Sequence, residues 1–130
     1  MLIQLLSNKT IKSESVISIR KIAEVWTIKL SNSYLVELAP IEYEWFMTIN
    51  GNLIEVLPDL SINIGAIVLF EPNETGFIIG WEGEPPIEIS QEKGQLLQDN
   101  LLLNHQHIIL ADRIGFLQEN YISPNYVSLV

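Results

Sequence analysis

The stretch "EVWTIKLSNSYLVEL", residues 24 to 38, alternates with a period of two and breaks once, at Ser31-Asn32-Ser33. Trp26, Ile28 and Leu30 fall on one side, Val25, Thr27 and Lys29 on the other, and Tyr34, Val36 and Leu38 resume the pattern after the break. This predicts a β-hairpin with one buried face. Upstream, "SVISIRKI" is rich in β-branched residues and predicts another strand, or the beginning of the same long one.

Residues 40 to 57, "PIEYEWFMTINGNLIEVL", fit two templates. As a hairpin, Asn50-Gly51 forms a type I′ turn, and the register pairs Met47 with Ile54 and Trp45 with Val56. As a helix, Pro40 takes the first position, and Ile41, Trp45, Ile49 and Leu53 form the apolar stripe. Asn-Gly in mid-helix costs about 1 to 2 kcal/mol against good helix formers, which favours the hairpin. Pro58 ends the element either way.

"INIGAIVLF" and "GFIIGW" are nearly continuous in apolar residues, with "EPNET" between them as turn chemistry. They predict a strand pair covered on both faces. Helices are then needed as cover. Ser90 is placed to cap one with Glu92 in its first turn and Leu97 and Leu101 four apart, and Leu110, Ile114, Leu117 and Tyr121 repeat at helical spacing. Gly94 and Gly115 weaken both helices, and "YVSLV" is left as a tail or edge strand. The expected architecture is α+β: an antiparallel β-sheet with C-terminal helices packed on one face. At 130 residues, with neither linker nor repeat, the chain is expected to be a single globular domain, 1–130.

Composition sharpens this picture in two ways. Hydrophobic residues make up 48% of the chain and mean hydropathy is +0.25, so a full core or an additional apolar face is expected. Cysteine is absent, and neither a basic signal-like start nor an apolar run of bilayer length is present. A reducing, cytoplasmic location is the expectation.

Charge is unevenly placed. Residues 1 to 30 hold Lys9, Lys12, Arg20, Lys21 and Lys29 against Glu14 and Glu24, a balance of +3. Residues 31 to 92 hold eleven carboxylates and no lysine or arginine, and the whole chain carries −9. Such a sum repels phosphate backbones and anionic lipid, so no nucleic acid and no membrane are expected as partners. A basic protein surface or tail is favoured instead.

Chemistry finds little purchase. His105 and His107 are the only histidines, and without cysteine a metal site would need a carboxylate such as Asp112, so no metal is expected. No nucleophile elbow, P-loop or dinucleotide fingerprint occurs, and no cofactor is expected. Glu82 and Glu84 in "GWEGEPPIEIS" would share a face if extended, but they belong to a long run of uncompensated acid, and no enzyme is expected. The leading expectation is therefore a small acidic protein-binding module: an inhibitor, immunity-type protein or assembly adaptor. Its partner-binding residues would be Trp81, Glu82, Glu84, Pro85, Pro86, Tyr43 and Glu44, since aromatic anchors with charged rims build hot spots. The alternatives are a structural subunit of a homo-oligomer, such as a homodimer closing over the apolar excess, and a small enzyme with an unrecognised carboxylate site.

Overall fold

Ten strands and two α-helices form within residues 1–101, the part of the chain that the computed structural model describes. In chain order they are β1 (Leu2–Gln4), β2 (Thr10–Lys12), β3 (Val16–Ile22), β4 (Val25–Leu30), β5 (Leu35–Glu37), α1 (Glu42–Ile49), β6 (Leu53–Leu57), β7 (Leu60–Asn63), β8 (Ile67–Pro72), β9 (Gly76–Trp81), β10 (Ile87–Ser90) and α2 (Gln91–Asn100). The strands make three antiparallel sheets: the pair β1-β2, the five-stranded order β5-β4-β3-β7-β6, and the three-stranded order β10-β9-β8. The class is α+β, as expected. The helix spacing at 110 to 121, the "YVSLV" tail, His105, His107 and Asp112 lie outside the described residues.

The five-stranded sheet separates two cores. On one side Ile19, Ile28 and Val36 pack with Ile3, Leu5 and Ile11 of the first hairpin and with Phe46 of α1. On the other, Val56, Leu60 and Ile62 meet Phe77, Ile79 and Trp81 of the three-stranded sheet, with Leu97 of α2 closing the end. A bulge in β3 assigns residues to sides: register shifts between Val16 and Ser18, so Val16 and Ile19 serve one core and Ile17 the other.

The predicted hairpin of β4 and β5 forms, pairing Thr27 with Glu37 and Ile28 with Val36. Residues 40 to 57 follow neither template in full. A helix forms over Glu42–Ile49 and stops at Asn50, where φ is −113° and ψ 83°; the favoured hairpin across Asn50-Gly51 is absent, and β6 pairs with β7. The reason is tertiary. A helical turn puts Phe46 wholly into a core, beside a buried Glu42, which the strand template would have set on the face away from Trp45. Glu42 accepts hydrogen bonds from the Leu6 and Ala39 amides at 2.7 and 3.0 Å, tying the helix start to the first hairpin.

"INIGAIVLF" also divides. Asn63 ends β7, its Nδ2 donating to the Val16 carbonyl and its Oδ1 accepting from the Gly65 amide, both at 2.8 Å. The 3-10 turn that follows carries the chain from one sheet to the other. β9 becomes the centre of the smaller sheet, but β8 is its edge, and Val68 stands 72% exposed where cover on both faces was expected. Ser90 caps α2 as predicted, its hydroxyl accepting from the Lys93 amide, and α2 packs on β9 and β10. Among the described residues no helix is long and apolar enough to cross a membrane.

Candidate functional site

Directly paired residues of antiparallel strands project to the same side. The pairs Ser18 with Lys29, Arg20 with Thr27, and Lys29 with Leu35 therefore put all five residues on one face of β3, β4 and β5. Farther across that face, Ile62 and Leu60 of β7 lie under the three-stranded sheet, but the β5-β4-β3 half is only partly covered by the described residues. The result is an open trough of about 320 Å³ lined by Ser18, Arg20, Ile22, Thr27, Lys29, Ser33, Leu35 and Glu84. Ser18 and Thr27 form a buried floor, and Arg20 is exposed. Arg20 has no ion-pair partner among the described residues.

Lys29 is held from the opposite wall. Its Nζ donates to Glu84 Oε1 at 3.0 Å and to the Gly83 carbonyl at 3.3 Å. The turn that brings these acceptors over begins at Trp81, which is 1% exposed and packed in the core, with its carbonyl accepting from the Glu84 amide and the Glu82 amide donating to Ala66. Gly83, at φ +82°, supplies the left-handed position the turn requires. Thr27 Oγ1 donates to the Val25 carbonyl at 3.2 Å, so its proton is already committed.

The residues expected to make one binding patch divide: Glu82, Glu84, Pro85 and Pro86 share one turn, while the Trp81 side chain, Tyr43 and Glu44 are separated from it. Trp81 points into the core and offers no anchor. Glu84 is engaged with Lys29, while Glu82, Pro85 and Pro86 are exposed beside it. Tyr43 and Glu44 sit on α1, against the other face of the five-stranded sheet. Tyr43 stacks on Trp26 with centroids 3.8 Å apart, and burial first, then the carboxylates of Glu55 and Asp59, raise its hydroxyl above the ordinary phenol range. The trough's own residues were visible in the sequence only as the polar partners in the alternation at Ser18, Arg20, Thr27 and Lys29. Nothing in a single chain says which half of a sheet face stays open. Among the described residues no three His, Cys, Asp or Glu side chains lie together as a metal site.

No protein-family model matches the chain, and no curated protein matches it. Its fold is similar to that of the LytTr DNA-binding domain of a methyl-accepting/DNA response regulator from Bacillus cereus. The TM-score is 0.54 at 8% identity, covering 76% of this chain and 93% of that one. The likeness corrects the expectation of an acidic protein-binding module, whether inhibitor, immunity-type protein or adaptor, docking a basic protein surface. It also removes the exclusion of nucleic acid, for a physical reason. A net charge of −9 is a sum over the whole surface, whereas contact with a polyanion depends on the local field at the contacting face, and the two differ when charge is segregated.

Proposed function

We propose that this chain is a non-catalytic, cytoplasmic, single-domain DNA-binding module. The observation that carries the proposal is the fold, similar over nearly the full length of a domain described as DNA-binding. Charge placement supports it. Five of the seven basic residues lie within residues 1 to 30, and β3 and β4 carry three of them, Arg20, Lys21 and Lys29. Lys9 reaches to within 6.0 Å of the Tyr34 ring in the β4-β5 turn, next to Ser33 of the trough. The carboxylates of residues 31 to 92 oppose contact elsewhere and keep binding weak without a preferred sequence.

The charge inventory sets the salt dependence. Among the described residues Lys21, Lys29 and Lys93 hold carboxylates, so Lys9, Lys12 and Arg20 are the cations open to phosphate at once, and Lys29 joins them only by exchanging Glu84. At about −0.9 per phosphate neutralised, log affinity should fall against log salt with a slope of about −2 to −4. Anisotropy titration of a labelled duplex library, with selection of the bound fraction, measures this. No bound fraction at low salt would sink the proposal.

A further inference from the structure

Arg20 and Lys29 stand diagonally across β3 and β4, since Arg20 pairs with Thr27 and Lys29 lies two residues on. Side chains so related are about 7 Å apart at their bases and within reach of one another's tips. Two cations at that spacing over a buried floor repel one another unless an anion joins them. The fold supplies a carboxylate to one only: Glu84 holds Lys29, and Arg20 is left without an ion-pair partner among the described residues. The Ser18 and Ser33 hydroxyls border the same space. We propose that this trough is a subsite for a phosphate group, with Arg20 and Lys29 as its cationic arms, and that Glu84 is a built-in competitor which the phosphate must displace. The inference rests on the DNA-binding reading and adds to it the contacting residues and a device that weakens the contact.

The chemistry favours phosphate. A guanidinium, an ammonium and two serines from two strands and a turn line one trough, a donor-rich set that suits an oxyanion with several acceptor oxygens. Glu84 satisfies only the Lys29 side, and Arg20 has no carboxylate among the described residues. The Lys29-Glu84 pair is only about one-fifth exposed at both side chains, so solvent screens it incompletely and Glu84 is a real competitor for an incoming phosphate. The same chemistry fits a phosphodiester of a DNA backbone or a free phosphate compound, so the test needs both probes.

Labelled duplex DNA and inorganic phosphate would each be titrated into the full chain and its Arg20→Gln, Glu84→Gln and Glu71→Gln variants, with a thermal melt as the check on folding. Glu71 is exposed on β8, outside the trough, and its substitution makes the same change in net charge as Glu84→Gln. Glu84→Gln should tighten duplex binding about 2- to 5-fold and Arg20→Gln should weaken it about 10-fold, with Glu71→Gln close to wild type. Inorganic phosphate should shift the backbone amides of β3, β4 and residues 82 to 84, more strongly in Glu84→Gln. Equal tightening by Glu84→Gln and Glu71→Gln would reduce the effect to net charge and overturn the subsite. Duplex binding that ignores both trough variants would also overturn it, while leaving the DNA reading intact. Phosphate binding in the trough without duplex binding would overturn the DNA reading and leave free phosphate compounds as the ligand. If neither probe binds, both fall.

Discussion

Gly94 of α2 lies against the ring of Phe77 in β9, so close that a Cβ at Gly94 would stand 2.0 Å from Phe77 Cδ1. The residue that looks like a flaw in the helix pattern is what lets the helix seat on the sheet.

Gly94→Ala should therefore destabilise the domain even though alanine is the better helix former. The propensity gain is about 1 kcal/mol. Forcing the helix off a closely packed ring costs about 1 to 3 kcal/mol in overpacking and opens the contact beneath Leu97 as well. A lower urea midpoint with an unchanged slope is the expected result, whereas a higher midpoint would mean that α2 is not held on β9 in solution.

Asn63 does two jobs with one side chain, bonding the Val16 carbonyl and the Gly65 amide. Asn63→Ala would leave a buried carbonyl without its donor and loosen the turn into the second sheet. A loss of about 2 to 3 kcal/mol is expected. Asn63→Asp keeps the acceptor for Gly65 but sets a carboxylate against the Val16 carbonyl, so at neutral pH it should be no better than alanine. Chemical denaturation of the two variants side by side checks the order.

Tyr43 gives a pH dependence with a definite sign. Its hydroxyl titrates higher in the folded protein than the ordinary value of 10.0, because burial and then Glu55 and Asp59 oppose the phenolate. Below about pH 10 the group is protonated in folded and unfolded chains alike and makes no pH-dependent difference. As pH rises through 10 the unfolded chain gives up this proton first, so stability falls until pH passes the raised folded value, above which both states are ionised and this group adds no further loss. Tyr43→Phe should remove that part of the alkaline loss. The difference in unfolding free energy between wild type and variant should stay constant from pH 7 to 9 and shift against wild type at higher pH; curves that remain parallel would show that Tyr43 is not held off the phenolate form.

Local pattern carried much of the architecture. The β4-β5 hairpin, the β8-β9 hairpin around "EPNET", the Ser90 cap of α2 and the α+β class all follow from periodicity and turn chemistry, which act over a few residues and so are written into a few residues. Three features were settled only by distant partners. Residues 42 to 49 became a helix because Phe46 found a core wall built from β3, β4 and the first hairpin. The "INIGAIVLF" run divided between two sheets because Asn63 found the Val16 carbonyl, 47 positions away. In "GWEGEPPIEIS", Trp81 turned inward and became the footing that carries Glu84 to Lys29, so the segment's aromatic is structural and one of its glutamates is a partner to a lysine more than fifty residues earlier. Composition by itself determined how much charge the chain carries; only packing decided where cations and carboxylates face one another, because the electrostatic field depends on positions in space and not on their sum.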